Sequence, residues 1–391
     1  MTVGITWSEA SARRMERQFL ANPAAKDTGV AEIVGAMLGA HAQVLSAAEL
    51  SVGVRAVGVT RAGVRDALWG RRTLVKTHGL VKTHGPRGTV HLLPAAELPL
   101  WCAVLPAVPS GASPFAAGVR VSEEQAREIV TAIGEALDGV CLTVDELSEE
   151  VVARVGSWAG DLVMPAFQGM WPRWRQVMHR AGQSGALCFG PDRGRKVTYT
   201  RPPRFTPMPA EEAVRELVRR YLRAYGPATP RGFAKWLAAG GGWATELFGR
   251  LAGEGLIEEV VFEGEAGWWV ASGDTEFPKE GASGVRLLPY FDAYGIAAQP
   301  RELLFPGDAY RRALARGQAG NYPVLLVDGV VAGVWHQRRR GRRTTVTVEV
   351  LGRRLGAREE RELAAQVGRV GEVLEAEAEL VVGTVTAGPH A

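Results

Sequence analysis

The chain has 391 residues, with 46 lysines and arginines against 42 acids, a net charge of +4, 46% hydrophobic residues and 23% charged residues. That length exceeds one ordinary core, and that balance excludes a disordered chain. The sequence has no apolar run long enough to span a bilayer and no basic-then-apolar leader. Its three scattered cysteines, Cys102, Cys141 and Cys188, without a C-x-x-C or H-x-x-x-H pair, point to a reducing cytoplasm and no metal site.

In chain order, the first unit spans residues 1–105. The run "AEIVGAMLGAHAQ" reads as a helix reaching His41-Ala42-Gln43, a seam before the next helix. Two polar side chains two apart at a helix end are either a solvated terminus or a site, and both readings stand at this point. Ser46 with Glu49 has the form of a capping box starting the next helix, and Thr60 is placed to cap a third. An extended pair, "RTLVKTHGLVKTHGPRGTVHLL", closes the unit. "LVKTHG" occurs twice in it, at 74–79 and 80–85. Six residues preserve the inside–outside alternation of a strand and lengthen it by roughly 20 Å. The repeat is either a longer hairpin arm presenting Lys76, Lys82 and Arg87 to a binding partner, or a slipped duplication looped out.

The second unit, 106–209, opens on a Pro/Ser/Gly linker and carries capping boxes at Ser122–Gln125 and Thr143–Glu146. Extended stretches "GALCFG" and "KVTYT" close it. Within it, Trp171-Pro172-Arg173-Trp174-Arg175 reads as buried tryptophan beside snorkelling arginine, with base stacking the alternative. The third unit, 210–283, has a long amphipathic helix, then Thr229 as N-cap with Pro230 at the first helical position, then a helix and a hairpin. From 284 to 391 the pattern turns β-branched and alternating, with Asp328-Gly329 as a hairpin turn, and finishes in one helix and one strand. The segment 335–354 carries seven arginines and one acid. It is either a solvated hairpin or a polyanion contact, with Arg338, Arg339, Arg340, Arg342 and Arg343 at its tip.

Helix–helix–helix–hairpin is the winged-helix form of helix-turn-helix. Three copies at roughly 85-residue spacing suggest a tandem array rather than a solenoid, whose periods are about 20–50 residues. The expected fold class is therefore α+β, with three tandem winged helices followed by a mainly-β domain.

Four phrases together, "LVKTHGPRGTVHLLPA", "YLRAYGPATPRGFAKWL", "LLPYFDAYG" and "PVLLVDGVVAGVWHQRRRGRR", resemble the AlkZ-like DNA glycosylases. They cover most of the chain, in the family's order. The resemblance implies that the β domain is a barrel and that the whole forms a C-shaped channel for duplex DNA. It also implies that the barrel hairpin contacts DNA. The family's catalytic signature, Gln-Φ-Gln, falls on His41-Ala42-Gln43. Gln43 matches directly, and position 41 has the His-Φ-Gln form.

The implied reaction is hydrolysis of the glycosidic bond of an N7-alkylguanine by a monofunctional glycosylase that leaves an abasic site. Such a base is cationic and departs neutral, so no general acid is needed. A water must be placed at C1′ and relieved of a proton, which Gln43 and His41 can do between them, given an ordinary histidine pKa of about 6.5. The nearest lysines in sequence, Lys26 and Lys76, are distant from the signature, which argues against a Schiff base. No cofactor is implied. The expected partner is double-stranded DNA carrying alkylated purines, bound by a cytoplasmic monomer with no membrane contact. The chief alternative is a non-catalytic winged-helix transcription regulator, and a second is a binder that sequesters the alkylating drug.

Overall fold

A computed structural model describes residues 4–82, 88–109, 111, 115–166, 169–314 and 316–388. Strand β1 (Gly4–Ile5) and helix α1 (Trp7–Arg17) come first, with Thr6 and Glu9 forming a capping box. The first unit then runs α2 (Val30–Ala36), β2 (Ala40–His41), α3 (Leu45–Gly53), α4 (Arg61–Arg65), β3 (Leu74–Lys82), β4 (Gly88–Pro94) and α5 (Leu98–Ala107). Its sheet has the order β2-β4-β3.

Two sequence expectations fail here. First, helix α2 stops at Ala36 instead of reaching the signature. Leu38 (φ 55°) and Gly39 (φ 102°) turn the chain through the left-handed region. A Cβ on Gly39 would stand 2.9 Å from Leu93 Cδ2 and 3.3 Å from the Leu92 carbonyl oxygen, so only glycine lets the chain close on β4. His41 is consequently on a strand, not at a helix C-terminus. Second, Ser46 does not cap α3: Val44 occupies the N-cap without a side-chain bond. Glu49 is buried and accepts from Arg65 Nε at 2.6 Å, a partner stronger than a backbone amide. Thr60 does cap α4, accepting from Gly63 N.

The second unit comprises α6 (Glu123–Ala136), β5 (Leu142–Thr143), α7 (Val144–Val155), β6 (Leu162–Pro165), β7 (Met170–Pro172), α8 (Met178–Gln183), β8 (Cys188–Phe189) and β9 (Thr198–Thr200). Both expected capping boxes are present, and the sheet order is β5-β9-β8. Trp174 is fully buried with Nε1 donating to Ser148 Oγ at 3.0 Å, while the Arg175 guanidinium lies 4.0 Å from the Trp171 ring centre.

The third unit has α9 (Ala210–Tyr225), α10 (Pro230–Leu237), α11 (Gly241–Gly253), β10 (Ile257–Phe262) and β11 (Glu265–Ala271). Thr229 caps α10 with Pro230 at its start. Its sheet is completed by β1, which pairs in parallel with β10. Residues 4–5 thus join the third unit, as does α1, whose Ala10 packs with Val260 and Phe262.

The C-terminal part runs β12 (Val285–Leu288), α12 (Ala293–Ala297), α13 (Arg301–Leu304), α14 (Asp308–Ala313), β13 (Val324–Val327), β14 (Val330–Arg340), β15 (Arg343–Val350), α15 (Ala357–Leu374) and β16 (Glu377–Val382). Its five strands stand in sequence order as an open half-barrel sheet rather than a closed barrel. Asp328 and Gly329 both take positive φ (48° and 81°), the requirement of a two-residue hairpin turn. Strand alternation sorts the core. Leu325, Val327, Trp335, Val346 and Val348 pack under α15 and against Leu50 of α3 and Val54 just past it. Leu326, Val331 and Val334 face the other way, onto Met15, Leu20, Leu304 and Phe305. The molecule is α+β throughout.

Candidate functional site

The first sheet places the signature. Register pairs His41 with His91, and His91 with Thr77; the adjacent row is Ala40, Leu92 and Lys76. Directly paired residues share a sheet face, and successive residues alternate. Leu92 and Ala40 belong to the core under α2 and α3, whereas Val75 and Leu93 belong to the core shared with α5 and α9. His41, His91 and Thr77 therefore lie on one face, and Lys76 on the other. The Lys76 ammonium sits 4.7 Å from the Phe189 ring centre, and burial holds its pKa below the usual lysine range.

Ala42 anchors the signature. It is fully buried, and its N–H donates to the Val90 carbonyl at 2.7 Å. Its polar neighbours are left toward the surface: His41 is half-buried and Gln43 exposed. The His41 imidazole lies between two rings. His91 meets it edge-on, with centroids 5.2 Å apart and planes at 78°. Phe291 meets it at a tilt, with centroids 4.4 Å apart and planes at 33°. Burial, with a smaller contribution from charge on His41, pushes the His91 pKa down to about 3, so at neutral pH His91 is an uncharged wall.

Phe291 reaches this position from the loop before α12. Its backbone is left-handed (φ 54°), and its N–H donates to the Gly320 carbonyl at 3.0 Å. The next residue, Asp292, is buried. It accepts both Arg55 terminal nitrogens at 2.7 Å and the Ser51 hydroxyl at 2.6 Å, and it caps α12 through the Tyr294 N–H. Ser51 belongs to α3, the helix into which the signature leads, and Arg55 lies in the turn just after it.

The basic hairpin forms as the sequence suggests. Arg338, Arg339 and Arg340 end β14, Gly341 (φ 60°) and Arg342 make the turn, and Arg343 begins β15; all five arginines are exposed. Arg340 stands directly opposite Arg343. Arg343 has one ionic neighbour, Glu377, at 3.5 Å. In the first sheet, β3 extends past the first "LVKTHG" into the second, with a break in register between His78 and Lys82, which pairs with Gly88. Arg87 and residues 83–86 lie outside the described residues. Among the described residues, no group of three or more His, Cys, Asp or Glu is placed to hold a metal ion, and no helix is long and apolar enough to cross a membrane.

The signature brought His41 and Gln43 forward from sequence; His91, Phe291, Asp292, Arg55 and Ser51 were not singled out. The signal for three of them was present, since "TVHLL" contains His91 and "LLPYFDAYG" contains Phe291 and Asp292.

Residues 34–373 match the model of a family described as DNA glycosylase AlkZ-like. A curated relative from Streptomyces sahachiroi, named an interstrand DNA cross-link repair glycosylase, is 32% identical over 348 residues, covering 84% of this chain and 87% of the relative. The solved structure of the Streptomyces sahachiroi DNA glycosylase AlkZ superposes with a TM-score of 0.76 at 27% identity, covering 97% of this chain and all of that one.

Proposed function

The chain belongs to the AlkZ-like DNA glycosylase family and is a DNA glycosylase, and on that premise we propose that it hydrolyses the N-glycosidic bond of cationic N7-alkylguanine in duplex DNA, leaving an abasic site. The three helix-and-sheet units are taken as winged helices that, with the half-barrel, bound a C-shaped channel for one duplex. Bulky adducts and interstrand cross-links are the proposed lesions, the latter in keeping with the relative's name as an interstrand DNA cross-link repair glycosylase. The family assignment sets aside the regulator and the drug-sequestering binder.

The observation that carries this reading is the placement of His41, half-buried between Phe291 and an uncharged His91, with exposed Gln43 two residues on. N7-alkylation leaves the purine positively charged. Cleavage sends the C1′–N9 electron pair to the purine, which departs neutral without an acid. Water adds its oxygen to C1′ and gives a proton to His41, while the Gln43 amide oxygen accepts the water's other hydrogen. General-base help of this kind is worth about 10²–10⁴-fold. Lys76, on the opposite sheet face, is not offered to C1′, which supports a monofunctional enzyme. No cofactor enters the scheme, and a monomer suffices.

Base release from duplexes carrying 7-methylguanine and one bulky adduct, read after heat or alkali cleavage of abasic sites, tests the proposal. His41→Ala and Gln43→Ala should each slow release about 10²-fold or more with DNA binding intact. Full release by both variants, or a borohydride-trapped protein–DNA adduct, would overturn the mechanism.

A further inference from the structure

We propose that Phe291 is a positioning residue for His41, held in place by a buried clamp between α3 and the loop before α12; this rests on the catalytic reading of His41 above. A general base must keep its nitrogen within hydrogen-bond reach of the water it deprotonates, a window of about 2.6–3.2 Å. Two rings bound the His41 imidazole: the Phe291 ring, its centre 4.4 Å away and tilted by 33°, and the His91 ring, edge-on at 5.2 Å.

The Phe291 conformation is one that bulky residues seldom adopt, and such a residue persists where its surroundings over-determine it. Three features do so. The Phe291 N–H is bonded to the Gly320 carbonyl. Gly320 itself must lack a side chain, since a Cβ there would stand 3.0 Å from Phe291 Cδ1 and 3.2 Å from its Cα. Asp292 is locked by the two-pronged Arg55 bond, the Ser51 hydroxyl and its own cap on α12. Because Ser51 rides on the helix that follows Gln43, and Arg55, in the turn ending that helix, donates back to the Ser51 carbonyl at 2.8 Å, the clamp ties the signature to the aromatic ring. The C-terminal part thereby takes part in catalysis through the histidine, beyond any grip on DNA.

The test uses the full chain, a 7-methylguanine duplex, single-turnover excision rates and duplex Kd. Phe291→Ala should lower the excision rate about 10²-fold with Kd changed less than about twofold, the loss expected from misplacing a catalytic group by about 1 Å. Phe291→Tyr, which keeps the ring, should restore most of the rate. Added to His41→Ala, Phe291→Ala should cost nothing further, because the group it positions is gone. If Phe291→Ala folds poorly, Phe291→Leu, closer in volume but without a ring face, should give the same rate loss. A wild-type rate in Phe291→Ala or Phe291→Leu, or a full additional loss in the His41→Ala background, would overturn the clamp while leaving the mechanism standing. A wild-type rate in His41→Ala would instead remove the premise.

Discussion

His91 shows how one buried side chain sets both stability and the chemistry beside it. Its imidazole is folded away uncharged, with a pKa of about 3 against an ordinary 6.5. Between those values the unfolded chain binds a proton that the native chain refuses, so stability must fall with acid. The contribution is fully present above about pH 6.5 and is lost as pH drops toward about 3, at up to about 1.4 kcal/mol per pH unit. His91→Phe, which keeps a ring without a proton site, should flatten this part of the stability curve. Urea midpoints measured from pH 7 to pH 4 check it, and parallel curves for the two proteins would rule His91 out as the titrating group. Neither His91 nor Phe291 was legible in the sequence as a partner of His41. Spacing reveals partners along one helix or strand, whereas these two arrive by cross-strand register and by a loop from the other end of the chain. The turn at Gly39 was missed for a related reason: its glycine is demanded by Leu92 and Leu93 of β4, not by its neighbours.

At the scale of single elements, local rules performed well where the local partner was the best one on offer. Ser122–Gln125, Thr143–Glu146, Thr60 and Thr229 cap helices as their spacing suggests. Ser46–Glu49 fails because Arg65 reaches Glu49 first, a contact invisible to a four-residue pattern. The basic hairpin was legible because a glycine between two alternating runs specifies its own turn. Its charge has a cost, since Arg340 faces Arg343 across the strands and like charges directly opposite destabilise a sheet. A polyanion bound there would relieve this. Arg340→Ala and Arg342→Ala should each weaken duplex binding and reduce the slope of log K against log salt by about 0.9 if each arginine neutralises one phosphate. Titrations between 50 and 200 mM salt, roughly the range over which such contacts are lost, measure the slope. A slope unchanged in the double variant would assign the grip to another surface.

At the scale of the whole molecule, the signature lies where three parts of the chain are bolted together, and Arg14 is one of the bolts. It sits fully buried on α1, with no carboxylate paired to it among the described residues. Its guanidinium donates to the Tyr225 carbonyl at 2.9 Å, Gly226 at 3.3 Å, Pro227 at 3.0 Å and Gln299 at 3.4 Å. Tyr225 and Gly226 end helix α9, where unpaired carbonyls and the helix dipole favour a cation. The Tyr225 hydroxyl in turn donates to the Met37 carbonyl, just ahead of the turn that delivers His41. The α1 helix, the end of α9, the residue before cis-Pro300 and the approach to the signature thus form one connected network. Burial lowers the Arg14 pKa, yet a planar fork spanning several carbonyls holds the charge where a point charge cannot. Arg14→Met should therefore destabilise the protein by about 3 kcal/mol or more, since each orphaned buried carbonyl costs about 1–3 kcal/mol. Arg14→Lys should recover less than half of that. Urea midpoints decide between the two accounts: a lysine variant as stable as wild type would mean that charge at the end of α9 is sufficient, and that the forked geometry contributes nothing.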